Sequence, residues 1–298
     1  MIGDTAPAEA SMADRLAARL GQDMPANVAL MLLLMEAPSP EAAVAALGRA
    51  VAARPDLAVP LREVERLRTA HPGAWATVHA VADSIDHGPA IPSVDAALGH
   101  WRSGFDRLAS AAPEAGVALY ALGDPALLAA ATAEVVTVLR DWGHVGLDRD
   151  VLDLGCGIGR FAQALASEVR SVLGLDLSAR MVEEARKRNH HGNVAFAVGS
   201  GRDLDGLEAA TFDLVLAADV FPYLVGAGLA DRHVGEMARV LRLGGAAVIL
   251  NYSYRGDLGL DVRDLAASAA LRGFAVERAG GRPLRLWDAA VFQLLKDR

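Results

Sequence analysis

The sequence contains a single cysteine, Cys156, among its 298 residues. One cysteine excludes a disulfide within the chain, which is typical of proteins kept in a reducing compartment. The stretch from Met1 to Met12 has no basic region followed by an apolar core, so it does not predict a secretory signal. We therefore expect a cytoplasmic protein.

Basic residues and long apolar runs are also scarce. The 29 Lys and Arg residues are outnumbered by 37 Asp and Glu residues, and the formal net charge is -8. Nucleic-acid binders usually carry a basic stripe, and none is visible here, so no nucleic-acid partner is expected. The longest apolar run, Val28 to Met35, is too short to cross a bilayer. It predicts a buried helix, and no membrane association is expected.

Several kinds of catalytic site lack their sequence signature. None of the eight histidines has the spacing of a metal site, so no metal is predicted. No set of Ser, His and Asp for nucleophilic catalysis stands out, and neither does a pair of catalytic carboxylates. His233 stands at the start of a predicted helix and is expected to be an exposed residue of that helix.

Hydrophobic residues make up 53% of the chain, enough for a sizeable core, and their rhythm changes once. Residues 1–115 show only helical periodicity and predict an all-α cap or lid domain. In residues 116–298 apolar strands alternate with helices, which predicts an α/β domain with a doubly wound, mostly parallel, seven-stranded sheet. The last two strands have only a loop between them, so the final strand should be antiparallel. The predicted strands are 150–154, 171–175, 194–198, 212–217, 246–251, 274–279 and 289–295.

The stretch Val151–Arg160 carries the strongest motif of the chain. An apolar strand runs into Gly155, Gly157 and Gly159, and a helical pattern follows at once. A second apolar strand then ends on Asp176. Strand, glycine loop, helix, strand and acid form the layout of a nucleotide-binding βαβ unit.

This motif resembles the S-adenosylmethionine (SAM) site of class I methyltransferases, because an aspartate, Asp153, precedes glycines at alternate positions. The resemblance implies SAM as the cofactor. It implies that Asp153 holds the methionine ammonium group and that Asp176 accepts both ribose hydroxyls. The segment from Val194 to Leu204 resembles the adenine motif of the family, with Ser200 where the family often has an aspartate. The adenine amino group would then meet Asp203 or a backbone carbonyl.

The cofactor-binding residues predicted from the resemblance fall in five segments of the chain. They are Tyr120, Asp153, Gly155, Cys156, Gly157, Asp176, Leu177, Met181, Gly201, Arg202, Asp203 and Asp219.

The acceptor side of the site is predicted after the fourth and fifth strands. Asp219 and Tyr223 follow the fourth strand, and Tyr254 and Arg255 follow the fifth, so these four are the candidate catalytic residues. The fourth segment does not match the Asp-Pro-Pro-Tyr type used on nucleobase amines, which argues further against a DNA substrate. Trp287 and its neighbours lead into the antiparallel last strand and should therefore lie at the same end of the sheet.

Three activities are compatible with these residues. The first is transfer of the SAM methyl group to a small-molecule acceptor by in-line displacement. The second is attack on the aminocarboxypropyl arm of SAM, including ring closure of SAM itself with release of methylthioadenosine. The third is SAM binding without catalysis.

The N-terminal helices have two possible roles. They could cover the acceptor pocket, with Tyr120 touching the cofactor, or they could form an independent interaction domain. The sequence predicts no oligomeric state.

Overall fold

The computed structural model describes residues 10–84 and 93–297. The expectation that no secretory signal is present concerns mainly residues 1–9, which lie outside that range. Within the described residues, no helix combines the length and the apolar character needed to cross a membrane.

Eight α-helices precede the first strand in the part of the chain that the structure describes. Serine side chains begin three of them: the hydroxyls of Ser11, Ser39 and Ser93 each accept a hydrogen bond from a backbone N–H of the first turn. The helices are α1 (Met12–Leu20), α2 (Ala26–Glu36), α3 (Pro40–Ala53), α4 (Ala58–Ala70), α5 (Ala74–Ala82), α6 (Val94–Ala111), α7 (Pro113–Val117) and α8 (Pro125–Asp141), with 3₁₀ turns at Pro55–Leu57 and Leu119–Ala121.

The remainder of the chain forms one seven-stranded sheet in the order β3-β2-β1-β4-β5-β7-β6. Strands β1 to β5 pair in parallel, and β7 is antiparallel to both of its neighbours, β5 and β6. The predicted fold class is therefore confirmed. The strands are β1 (Asp150–Leu154), β2 (Ser171–Asp176), β3 (Val194–Val198), β4 (Phe212–Ala218), β5 (Leu241–Leu250), β6 (Phe274–Gly281) and β7 (Val291–Lys296).

Five further helices pack on the sheet. They are α9 (Arg160–Leu165), α10 (Ala179–Arg188), α11 (Phe221–Gly226), α12 (Ala230–Val240) and α13 (Leu258–Ala270).

Strand β5 begins five residues earlier than the sequence predicts, at Leu241 rather than Ala246. Its pairing with β4 shifts register, because Phe212 pairs with Leu241 whereas Leu214 pairs with Ala246. Between these pairs β5 has three more residues than β4, and Gly244 and Gly245 lie in this irregular stretch, where Gly244 has φ of 78°. Glycines in such an irregularity give the same sequence signal as a turn before a strand.

The N-terminal helices share a hydrophobic core with the sheet. Val28 of α2 and Leu108 of α6 belong to the same buried cluster as Val151 of β1. The buried side-chain amide of Asn27 donates to the carbonyl oxygens of Tyr120 and Leu286, at 3.0 and 2.7 Å. The two parts of the chain are therefore in extensive contact, while their division at residue 115 stays a prediction.

Asp153 joins β1 to the helix that follows it. The side chain is 1% exposed, and its Oδ2 accepts the backbone N–H of Ala162 at 3.2 Å. Burial raises the pKa of Asp153 to about 7, and the Ala162 hydrogen bond opposes the rise. A carboxyl group whose pKa is raised by burial is protonated more readily in the folded chain than in the unfolded chain.

Asp153→Asn should therefore become more stable relative to the parent protein as the pH rises. The folded pKa lies above the unfolded one, so Asp153 contributes most stability below about pH 4 and loses it as the pH approaches 7. Asparagine keeps an oxygen for the Ala162 N–H but does not titrate. We expect a relative gain of a few kcal/mol between pH 4 and pH 8, at about 1.4 kcal/mol per pKa unit. Denaturant unfolding of both proteins at the two pH values measures it, and a pH-independent difference would contradict the assignment.

Candidate active site

The carboxyl ends of the parallel strands open into one cavity of about 570 Å³. The loop after β1 and the end of β2 line one part of it, and the segment after β4 lines another. The opposite wall comes from helices α2, α5 and α6 and from residues 115–120. Ligands of open α/β sheets bind at this edge, at the point where the connections that leave two neighbouring strands run to opposite faces of the sheet.

The glycine loop can present bare backbone to the cavity because its glycines carry no side chains. Gly155 and Gly157 line the cavity and have φ values of 73° and 53°, in the left-handed region that favours glycine. A Cβ atom on Gly157 would lie 2.6 Å from Cγ1 of Val117. The loop is therefore held directly against the segment that leads out of the N-terminal helices.

Asp176 lies at the end of β2, on the cavity wall. Its Oδ2 accepts the N–H of Gly157 and its Oδ1 accepts the N–H of Ser178, both at 2.8 Å. Burial raises the pKa of Asp176, and these hydrogen bonds oppose the rise. The two bonds fix the carboxylate and leave lone pairs on both oxygens, so it can still accept two hydroxyl groups of a ligand.

Asp219 lies on the cavity wall beyond the end of β4. Its Oδ1 accepts hydrogen bonds from Nδ2 of Asn251 and from the hydroxyl of Tyr254, both at 2.9 Å. Both Asp219 and Asn251 have φ near 60°, a backbone region that non-glycine residues seldom occupy. Burial raises the pKa of Asp219 above its usual range. The site thus holds a fixed carboxylate that can take up a proton.

Aromatic side chains concentrate in the part of the cavity between α6 and the segment after β4. Three of the four tyrosines and two of the four tryptophans of the chain line the cavity. The Tyr223 ring packs edge-on against Trp101 and Phe105 of α6, with centroids 4.9 and 5.3 Å apart, and against Tyr254 at 6.2 Å. Tyr254 as a whole residue is 57% exposed, although its hydroxyl reaches Asp219.

Tyr120 links the glycine-loop helix to the start of β7. Its ring stacks on Trp287 with centroids 5.0 Å apart, and its hydroxyl accepts a hydrogen bond from Arg160 at 2.9 Å. Both rings line the cavity. Burial raises the pKa of Tyr120, so its hydroxyl remains protonated.

Four other predicted site residues stand away from the cavity lining. Asp153 lies behind the glycine loop, and Cys156 is 4% exposed, with burial raising the pKa of its thiol. Arg202 forms an ion pair with Asp95, and Arg255 donates to Asp261 and Asp264 of α13. Their assigned roles stay predictions. The predicted residues that do line the cavity are Tyr120, Gly155, Gly157, Asp176, Leu177, Met181, Gly201, Asp203, Asp219, Tyr223 and Tyr254.

The expectation that His233 is exposed is wrong. The residue is 1% exposed and lines the cavity. It falls on the buried stripe of α12 with Ala230, Met237 and Val240, at the spacing of one helix face. That stripe was the sequence signal that could have identified it, since a histidine among apolar residues at these positions faces inward.

The comparison with known proteins agrees with this geometry. The family described as "Methyltransferase domain" matches residues 151–245. A human protein named tRNA (uracil-5-)-methyltransferase homolog A is 41% identical over 76 residues, which are 24% of this chain and 12% of that protein. The methyltransferase GfsG of Streptomyces halstedii is 32% identical over 135 residues, 44% of this chain and 45% of that protein. The chain thus spans less than half the length of either relative.

One solved structure shows the same fold over most of the chain. It is phosphoethanolamine N-methyltransferase 1 of Haemonchus contortus in complex with phosphoethanolamine and S-adenosylhomocysteine. The TM-score is 0.51 at 17% identity, and the match covers 69% of this chain and 50% of that one. Residues 151–245 therefore match the methyltransferase domain family, within the fold of the class I methyltransferases, and the cofactor of that family is S-adenosylmethionine.

Proposed function

We propose that the protein transfers the methyl group of SAM to a small, largely apolar acceptor. The observation that carries the proposal is the continuity of the cavity. The glycine loop and Asp176 share it with the aromatic cluster of Trp101, Phe105 and Tyr223. Cofactor and acceptor can therefore meet within one cavity.

The charge of the cavity wall favours an acceptor without negative charge. The described lining residues include four aspartates, Asp176, Asp203, Asp219 and Asp288, and no lysine or arginine. A carboxylate or phosphate of the acceptor would face these aspartates with no lysine or arginine on the wall to pair with it, which is costly in a site of low polarity. We therefore propose an uncharged or cationic acceptor, and the same argument disfavours RNA.

Methyl transfer asks little covalent chemistry of the protein. The sulfonium leaves as a neutral thioether when the acceptor atom attacks the methyl carbon, so orientation and exclusion of water supply most of the catalysis. Asp219 would accept the proton that the acceptor loses. Asn251 and Tyr254 would hold its carboxylate in position through their hydrogen bonds to Oδ1.

A second candidate function has one observation in its favour. Helices α2, α5 and α6 form the wall of the cavity opposite the glycine loop, which restricts the space for an acceptor. In such a restricted space the amino group of SAM could attack its own aminocarboxypropyl arm. The sulfur product distinguishes the two reactions, because methyl transfer yields S-adenosylhomocysteine and attack on the arm yields methylthioadenosine.

The first prediction from this proposal concerns products. We expect S-adenosylhomocysteine to accumulate when the protein and SAM are incubated with small aromatic amines or phenols. Size-matched carboxylates and phosphates should give much less, because the wall offers them no cation. Chromatography of the sulfur products makes the measurement. Methylthioadenosine formed without any acceptor would favour the second candidate, and a preference for carboxylates would contradict the proposed acceptor class.

The second prediction concerns the ribose. Asp176→Ala should weaken binding of S-adenosylhomocysteine by roughly 10- to 100-fold, since hydrogen bonds to a charged group contribute about 1.5–3 kcal/mol. Titration calorimetry gives the affinity, and circular dichroism checks the fold. Asp205→Ala is the matched control, because Asp205 is exposed and does not line the cavity. Unchanged affinity in the Asp176 variant would mean that the ribose lies elsewhere.

The third prediction separates catalysis from binding. Asp219→Asn should lower kcat by about 10²- to 10⁴-fold, the usual contribution of a general base, and change S-adenosylhomocysteine affinity only slightly. In the parent protein kcat should rise with pH through the raised pKa of Asp219, because the carboxylate form is the active one. The rise of kcat with pH should be absent in the Asp219→Asn variant. Asp264→Asn, outside the cavity, is the control, and an equal loss there would contradict the role of Asp219.

A further inference from the structure

His233 is a buried histidine that the transfer reaction does not use. It lies in α12, is 1% exposed, and lines the cavity together with Gly201 and Leu204. Buried polar groups in native proteins are hydrogen-bonded with few exceptions. A buried histidine that lines a ligand cavity is therefore a candidate to bind the ligand.

The hydrogen bond at the other ring nitrogen fixes the chemical character of His233. Its Nδ1 lies 3.0 Å from the carbonyl oxygen of Leu229. A carbonyl can only accept, so Nδ1 carries the proton and Nε2 presents a lone pair in the neutral ring. Burial lowers the pKa of His233, which keeps the ring neutral near pH 7. Nε2 has no hydrogen-bond partner among residues 10–84 and 93–297.

The cavity wall that includes His233 also offers apolar side chains beside the proposed ribose ligand. Leu98 and Leu177 line the cavity and pack against the backbone of Gly201, where a Cβ atom would lie 3.0 Å from Cδ2 of Leu98 and 3.0 Å from Cδ1 of Leu177. Because Leu177 follows Asp176, a base attached to a ribose at Asp176 would lie against these leucines.

Asp203, the acid that the sequence suggests for the adenine amino group, is already engaged. Its Oδ2 accepts from Arg232 at 2.6 Å, and its Oδ1 accepts from the hydroxyl of Ser200 at 3.1 Å. The carboxylate is thereby held in place, but like Asp176 it keeps lone pairs on both oxygens. Asp203 is therefore the competing acceptor, from which the variants of His233 must be distinguished.

We propose that Nε2 of His233 accepts a hydrogen bond from the 6-amino group of the cofactor's adenine and so selects adenine over a 6-oxo base. Hypoxanthine carries a carbonyl oxygen in place of the amino group. Two acceptors would then face each other, and neither would have a donor. Sites built to hydrogen-bond one group discriminate strongly against analogues that cannot complete the bond. The inference rests on the SAM cofactor and on the ribose position, and it is independent of the acceptor.

The test compares two ligands that differ at this one position. Calorimetry gives the affinities of S-adenosylhomocysteine and S-inosylhomocysteine for the parent protein and for His233→Leu. We expect the parent protein to bind the inosyl compound at least about tenfold more weakly, the ratio that corresponds to ~1.4 kcal/mol. In His233→Leu the ratio should approach one, mainly through weaker binding of the adenosyl compound.

Two further variants complete the test. His233→Gln offers an amide oxygen as acceptor and should recover part of the discrimination, which also guards against a leucine variant that fails to fold. His79→Leu is the matched control, because His79 also contacts a helix carbonyl, that of Leu34 at 3.0 Å, but lies outside the cavity lining. It should keep the ratio of the parent protein.

Three results would overturn the proposal. Equal affinities in the parent protein would mean that the 6-position is not read. Full discrimination in His233→Leu would assign the reading to Asp203 or to a backbone carbonyl. Failure of the parent protein to bind either ligand would remove the cofactor site itself. A protein that discriminates as expected but makes no methylated product would contradict methyl transfer alone.

Discussion

The site depends on glycine backbone that packs so closely against neighbouring side chains that a Cβ atom would not fit. The ring of Phe196 on β3 lies 2.5 Å from the Cβ positions of both Gly159 and Gly174, while Val117 lies 2.6 Å from that of Gly157. These contacts seat the loop between the sheet and the N-terminal segment. The loop can then place its Gly157 N–H on Asp176 and leave cavity space above it. A side chain at any of the three glycines would push one of these layers away.

A second feature of the site is that it buries several carboxyl groups, and this burial lowers the stability of the folded protein. Asp153, Asp176 and Asp219 all have pKa values raised by desolvation. Each costs folding free energy at neutral pH, and the left-handed backbone of Asp219 adds strain. The hydrogen bonds from Gly157, Asn251 and Tyr254 offset only part of this cost. Such a concentration of disfavoured groups at one edge of the sheet is typical of a functional site.

The sequence predicts the cofactor side of this site better than the acceptor side. Strand alternation and the glycine motif are local signals, so β1 to β4, Asp176 and Asp219 could be located from neighbouring residues alone. The start of β5 could not, because a bulge and a turn have the same glycine signature. The ion pairs of Arg255 could not be predicted either, since Asp261 and Asp264 come within its reach only once α13 has formed. His233 was misjudged because a histidine near a helix start is usually exposed.

The aromatic cluster of Trp101, Phe105 and Tyr223 shows why this part of the cavity is hard to predict from the sequence. Tyr223 meets Trp101 and Phe105, which are more than a hundred residues away along the chain, and no local pattern links them. Their approach depends on how α6 sits on the α/β part of the molecule. There, Asp106 of α6 accepts the hydroxyl of Ser178 at 2.6 Å and the N–H of Arg180 at 3.2 Å, at the start of α10.

A carboxylate at a helix N-terminus is a favourable contact, and here it joins the N-terminal helices to the helix that follows Asp176. The same contact positions the aromatic cluster relative to the cofactor side. Changes within α6 would therefore alter both the part of the cavity lined by the aromatic cluster and the part lined by Asp176. The N-terminal helices are in this sense part of the site, because the cavity has no opposite wall without them.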